Sequence, residues 1–265
     1  MIITRNEAAN IVDCIASAKL ISEDIIVIDS CSCDDTACLA ECSGAKVVSI
    51  VWNGYGNARN IGADYTLHNW ILALDADERI TPELAACIRQ IHLNRPENVY
   101  GFKRLNYVEG KKICYGALGF DSVFRLYNKS WAEWEDVPVH ESLTGRWLRY
   151  YTLPGKVIHY GNNSLEDYWQ KKMKYASLWA TKQKQKGKKY SSVKQLASTI
   201  TSFLKAYILQ LGFLDLKYGL KFSKMNARYT WHKYNLLFSL LKVNDTSSVE
   251  EKIKEDPMLI SFAAK

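Results

Sequence analysis

No uninterrupted apolar run in this chain approaches the roughly 18 residues that a membrane-spanning helix needs, so the sequence offers no candidate span. No charged segment, apolar stretch and cleavage site precede Ile2-Ile3, so the expectation from the sequence is a chain without a secretory leader. The cysteines number seven, an odd set, and without a leader they read as the reduced thiols of a cytoplasmic protein. Four of them, Cys31, Cys33, Cys38 and Cys42, cluster. No paired CxxC and no nearby histidine completes a zinc site around them, which leaves small buried side chains as the expectation. Internal repeats are absent too. What is present is a chain of 265 residues, 48% hydrophobic and 12% aromatic, which argues against disorder over most of its length. It is long enough for one domain with its own core and an appendage.

Charge is unevenly spread. From Tyr168 to Lys242 there are sixteen Lys or Arg and one acid, Asp215, so this segment carries +15 and the rest of the chain −8 within a total of +7. A basic appendage on an acidic body seeks anions. Nucleic acid is a poor fit, because neither a stacking platform nor a groove-reading helix is recognisable. A solvated face is the plain alternative. Apolar stripes with Trp and Tyr among the lysines fit contact with an anionic membrane surface better.

The first hundred residues alternate short apolar runs with helical spacing. Ile2-Ile3, Ile25–Ile28, Lys46–Ser49 and Trp70–Leu74 read as strands. Helices are expected over Asn10–Lys19, from Asp34 or Asp35 to Ser43, over Asn57–His68, and after Thr81-Pro82, where Thr caps and Pro takes the first position. This alternation predicts an α/β fold with a mostly parallel sheet covered by helices. From Val99 to His159 the texture becomes that of a mixed or antiparallel extension. Ser164, with Asp167 as a capping box, opens a long helix; a second amphipathic helix carries Val193, Leu196, Ala197, Ile200, Phe203, Leu204, Tyr207, Ile208 and Leu211. The expected organisation is a catalytic domain over 1–161, a basic helical region over 162–242 and a polar tail over 243–265.

In open α/β sheets ligands gather beyond the carboxyl ends of the strands. Glu7 follows the first strand, Asp29 ends the second, and Asp75-Ala76-Asp77 ends the fourth. Two carboxylates in a DxD spacing can approach one hard divalent cation, which can bridge a diphosphate and neutralise a leaving group. A solvated acidic turn explains a lone DxD equally well. Three acidic strand ends in one array do not fit that explanation.

The runs IITRNEAANI, IIVIDSCSCDDTA, GYGNARNIGA, WILALDADERITPEL, VFRLYNK and PVHES, in this order, resemble the inverting glycosyltransferases of family 2, which have the GT-A fold. More closely they are similar to the bacterial β-1,4-glucosyltransferases of the lipopolysaccharide inner core, over roughly the first 240 residues. The resemblance implies a nucleotide-sugar site with Thr4, Asn6 and Glu7 lining the nucleoside pocket, Asp29 on the base (uracil), and Arg59 near the nucleotide. It also implies Asp75 on the ribose or donor sugar and Asp77, with Asp75 beside it, at a Mg²⁺ or Mn²⁺ ion. The partners implied are a UDP-sugar and a glycolipid acceptor, at the inner face of the cytoplasmic membrane; a homo-oligomer is left open. An inverting displacement needs a base for the acceptor hydroxyl; Glu141, Asp136 and His140 are the candidates, in that order. Arg104, Asp121 and Arg125 either line the cleft or form surface ion pairs. Cys31 and Cys33 stand where the family usually has Gly and Thr, Ala58 stands where it has a polar residue, and fewer residues precede the first strand. A nucleotidyltransferase would instead show glycine after that strand, where Thr4-Arg5-Asn6-Glu7 has none. A non-catalytic nucleotide-sugar binder is the third class to weigh.

Overall fold

The computed structural model describes residues 1–119, 121–135, 141–162 and 165–242. Asp136, His140, the Ser164–Asp167 capping box and the tail 243–265 lie outside the described residues. The chain forms two compact units. The first is Met1–Cys114 with Leu118–Asn163; the second is Ser164 onward together with the three residues Tyr115–Ala117. The expected division after residue 161 falls at the end of the last strand of the first unit.

The first unit opens with β1 (Ile2–Thr4), α1 (Ile11–Ala18), β2 (Ile26–Asp29), α2 (Thr36–Cys42), β3 (Lys46–Ser49), α3 (Tyr55–Asp64), β4 (Trp70–Leu72) and β5 (Leu74–Asp75). Strands β3-β2-β1-β5 make a four-stranded parallel sheet. Because side chains alternate along a strand, Ile2 and Val27 face one apolar cluster with Ile11, Ile15 and Leu84, while Ile3, Ile26 and Ile28 face another with Ala58 and Ala63. Both faces are covered, which is why these strands read as continuous apolar runs. This is the expected GT-A-like α/β arrangement.

After β6 (Glu78–Ile80) and α4 (Pro82–Gln90), a second sheet is built from β7 (Asn98–Val108), β8 (Lys111–Ile113), β9 (Ser122–Asn128) and β12 (Arg149–Asn162), with order β4-β9-β7-β12-β6 and β8 on β7. The short helix α5 (Gly116–Gly119) precedes β9, and a hairpin of β10 (Ala132–Trp134) and β11 (Leu143–Gly145) precedes β12. Thr81 caps α4 as expected, accepting from the Leu84 N–H at 3.3 Å.

Three local expectations need correcting. The run 70–74 is two strands, because the chain changes sheets at Ala73: β4 pairs with β9, and β5 pairs with β1. Helix α3 ends at Asp64 rather than His68, because Lys129 Nζ takes the Ala63 carbonyl at 2.9 Å and the Thr66 carbonyl at 2.9 Å. Cys31, Cys33, Cys38 and Cys42 are exposed free thiols, not buried packing. Helix α2 turns Thr36 and Ala40 inward, which leaves Cys38 and Cys42 on the opposite side.

The second unit holds α6 (Leu165–Gln185), α7 (Ser192–Leu204) and α8 (Leu216–Lys242). The sequence led us to expect two helices. A π turn at Lys205–Leu209 and a 3-10 turn at Gly212–Asp215 fold the chain back into the third. That return needs glycine, since a Cβ on Gly219 would lie 1.6 Å from the Gly212 carbonyl oxygen. Its interior is aromatic: Tyr168 meets Phe222 at 5.3 Å between ring centroids, and Trp179 meets Tyr234 at 5.1 Å. Among the described residues no helix is long and apolar enough to cross a membrane.

Candidate active site

The carboxyl ends of β1 and β2 lie side by side, with Thr4 opposite Asp29. The loops that leave them are stitched together. Asn6 adopts a left-handed backbone, donates its N–H to Ser32 Oγ at 2.9 Å and accepts the Cys33 N–H at 2.8 Å through its side chain. The Glu7 N–H donates to Thr36 Oγ1 at 2.8 Å, and its carboxylate holds Asn10 at 2.7 Å. Asp29 is almost fully buried and accepts from the Ser32 N–H at 2.9 Å and from the Ser32 hydroxyl. The hydroxyls of Thr4 and Ser30 are buried without a protein partner. Thr4, Asn6, Glu7 and Asp29 thus share one rim, where two unpaired hydroxyls and a carboxylate suit a polar ligand.

Asp75, Ala76 and Asp77 form the turn that carries the chain from β5 in one sheet to β6 in the other. Arg79 wraps this turn, with Nη1 donating to the Ala76 carbonyl at 3.0 Å. Both oxygens of Asp75 are committed: Oδ1 to Arg59 at 2.8 Å, Oδ2 to Arg125 at 3.0 Å and Arg104 at 3.4 Å. Burial alone would raise its pKa, but Arg125, Arg59 and Arg104 together hold it far below the usual carboxylate range. Arg104 also takes the fully buried Glu78 at 2.8 Å and Asp121 at 3.5 Å. Glu78 and Arg125 are buried, whereas Asp121 is half-buried.

Asp77 is different. Its Oδ1 is buried with no partner, and its Oδ2 faces His159 Nε2 at 3.5 Å. The register of β12 on β6, with His159 opposite Glu78, brings the imidazole there. The His159 Nδ1 lies 2.6 Å from Asn106 Oδ1, and Asn106 Nδ2 donates to the Leu118 carbonyl at 2.7 Å. With the amide oriented by that second bond, Oδ1 must accept, so Nδ1 carries a proton. In neutral His159 the Nε2 lone pair then points at a carboxylate. Two acceptors at this separation need a proton or a cation between them. Burial lowers the His159 pKa, but Asp77 more than offsets it and moves it above the ordinary value. The approach is close enough that a Cβ on Gly161 would lie 2.3 Å from Nε2 and 3.0 Å from Asp77 Oδ2. One imidazole and one open carboxylate oxygen, with His159 oriented by Asn106, form a donor set that fits a divalent cation sharing its other positions with a ligand. Among the described residues no group of three or more His, Cys, Asp or Glu is assembled for a metal, so any cation here would take two donors from the described residues.

A model of "Glycosyl transferase family 2" matches residues 1–132. An uncharacterized glycosyltransferase of Rickettsia typhi is 31% identical over 224 residues, 80% of this chain and 77% of that protein. The chain belongs to the family 2 glycosyltransferases. The lipopolysaccharide core biosynthesis glycosyltransferase LpsC of Rhizobium meliloti is similar at 23% identity, covering 89% of this chain and 92% of its own length. Among solved structures, glucosyl-3-phosphoglycerate synthase of Mycobacterium tuberculosis in complex with Mn²⁺ and UDP-Glc is 27% identical over 40% of this chain and 42% of that one, with a TM-score of 0.34.

In this glycosyltransferase the residues expected from sequence fall into two groups. Thr4, Asn6, Glu7 and Asp29 meet on the rim described above. Arg59 is 1% exposed, lies 4.6 Å from the Trp134 ring, and joins Asp75 to Glu141 through its two terminal nitrogens. Glu141 therefore meets Asp75 through Arg59, although they are far apart in sequence. His159 and Asn106 were missed. The sequence offers a single histidine in a β-like stretch, and only strand register brings it to Asp77.

Proposed function

We propose that this glycosyltransferase moves a hexose, glucose in the simplest case, from a UDP-sugar to a hydroxyl of a membrane glycolipid of the lipopolysaccharide-core class, with inversion. The observation that carries the reading is the facing pair Asp77 and His159 at the sheet edge that also holds Asp29. Asp29 and the Thr4–Glu7 loop would receive the uracil and ribose, with Thr4 and Ser30 supplying hydroxyls. Asp77 and His159 would hold Mg²⁺ or Mn²⁺, which, when bound, neutralises charge on the departing diphosphate. Asp75, beside Asp77 and held by three guanidinium groups, would keep Arg59, Arg104 and Arg125 in place at the donor side.

Glu141 is our choice for the base. Its described ion pair, to Arg59, orients it, and its side chain remains 13% exposed. An ionised carboxylate can take the acceptor proton as the oxygen attacks the anomeric carbon, with no covalent enzyme intermediate. Similarity to LpsC, whose name assigns it to lipopolysaccharide core biosynthesis, supports the acceptor class. The test is a panel of UDP- and GDP-sugars with Mn²⁺ or Mg²⁺ and no acceptor. Slow metal-dependent release of UDP from a UDP-hexose is expected; release of GDP alone would overturn the donor assignment.

A further inference from the structure

Helix α7 is built inside out. The face turned into the helical unit is polar. Gln195 is 2% exposed, donates to the Trp231 carbonyl at 3.0 Å and to Asn235 Oδ1 at 2.7 Å, and accepts from the Tyr190 hydroxyl at 2.6 Å. Ser198 meets the Tyr234 hydroxyl at 3.2 Å, and Ser202 bonds the Asn226 carbonyl at 3.3 Å and Thr230 at 3.2 Å. The face turned outward is aliphatic: Val193 is 77% exposed, Leu196 53%, Ile200 51% and Leu204 43%. These recur every three or four residues, so they form one continuous stripe. The following turn extends it with Ile208, Leu209, Leu211, Phe213, Leu214 and Leu216, of which Leu209 and Leu216 are each 77% exposed. Leu211 and Leu216 also sit in left-handed backbone, at φ 55° and 52°, a conformation that leucine rarely adopts.

A helix that satisfies its polar groups inward and exposes aliphatic groups is patterned for a non-aqueous neighbour. Charge selects which one. From Ser192 to Lys221 the cations are Lys194, Lys205, Lys217 and Lys221, against Asp215 alone. Asp215 is already engaged, accepting the Tyr115 N–H at 2.8 Å. Two copies meeting through this face would bring like charges together, whereas an anionic lipid surface would neutralise them. The stripe is one-sided and no described helix is long and apolar enough to span a bilayer, which suits a helix lying in the plane of the interface.

We propose that the outer face of α7 and the 208–216 turn insert into the interfacial layer of an anionic bilayer, with the flanking lysines on headgroup phosphates. This names the surface through which the acceptor is met, and it rests on the proposed reading only for that purpose.

The experiment uses the full chain. Co-sedimentation is measured with vesicles of mixed phosphatidylethanolamine and phosphatidylglycerol and with phosphatidylcholine alone, each at low and high salt. Binding to the anionic vesicles is expected, with a residue that survives high salt. Combined Leu196→Ser, Ile200→Ser, Leu204→Ser and Leu209→Ser should lower partition by about tenfold or more and remove the salt-resistant part, because each lost side chain forfeits buried apolar area. UDP release from the donor, read on the same samples, should be unchanged by these exposed substitutions. It reports on the catalytic reading separately. Wild-type protein that ignores anionic vesicles at low salt overturns the proposal. So does light scattering that shows a dimer split by the serine substitutions while vesicle binding persists. So does vesicle binding that emerges only when residues 243–265 are removed, since the tail would then be the occupant.

Discussion

The two units handle charge in opposite ways. In the first, one cluster of charge is paired and largely buried: Arg59, Arg104 and Arg125 surround Asp75 and Glu78. In the second, the cations far outnumber the acids, and several sit over aromatic rings instead of carboxylates. Arg228 lies 4.5 Å from the Trp169 ring centroid, and Lys172 and Lys233 lie 5.2 and 5.4 Å from that of Tyr229. Interior pairing fixes a geometry, as a reaction with a nucleotide sugar requires. An excess of cations over acids favours anions as neighbours. The contrast is between charge neutralised by opposite charge and charge left in excess of one sign.

The largest expected effect lies at the one open carboxylate. Asp77→Ala should reduce transfer below detection and remove metal-dependent UDP binding, because Asp77 is the carboxylate that faces His159 Nε2, at 3.5 Å. Turnover at the wild-type level with Mn²⁺ would break the assignment. Glu141→Gln should keep donor affinity and cut turnover by roughly 10²–10⁴-fold, the range of a general base. An unchanged rate would move the role to Asp136 or His140.

Stability should divide along the same line. Arg104→Ala leaves Glu78 and Asp75 short of a partner in the interior and should cost about 3–5 kcal/mol. Lys172→Met in the helical unit should be neutral or stabilising, within about 0.5 kcal/mol. Burial and the nearby Lys233 already lower the Lys172 pKa, so losing its charge relieves a cost. Denaturant midpoints of both variants make the comparison; equal losses would erase the distinction between the units.

Much of the first unit was legible in the sequence, for identifiable reasons. β2, β3 and the start of α4 follow from β-branched runs and from Thr81-Pro82, all local signals. Asp29 and Asp75 were legible because a strand end is a local feature. Arg59 was legible as important but not in its partners, since its two carboxylates are 16 and 82 residues away in sequence. His159 was not legible, because its approach to Asp77 depends on the pairing of β12 with β6. The aliphatic stripe of α7 was legible, but its direction was not. Periodicity shows that a helix has two faces, and only the partners of Gln195 and Ser202 tell which one is turned inward.

The smallest effect concerns pH. The His159 pKa is raised above its ordinary 6.5 in the folded protein. The stability it contributes is therefore full below that value and lost as pH climbs through the folded pKa. Metal-free protein should melt at a lower temperature near about pH 8 than near about pH 6, and His159→Asn should flatten the difference. Metal binding should run the other way and weaken as the imidazole is protonated.

The most direct measurement is calorimetric titration of UDP into the metal-free protein and into the same protein with Mn²⁺. The account predicts binding that strengthens with Mn²⁺ in the wild type, and that loses this gain in both Asp77→Ala and His159→Ala while Glu141→Gln retains it. Equal UDP affinity with and without Mn²⁺ in the wild type would contradict it.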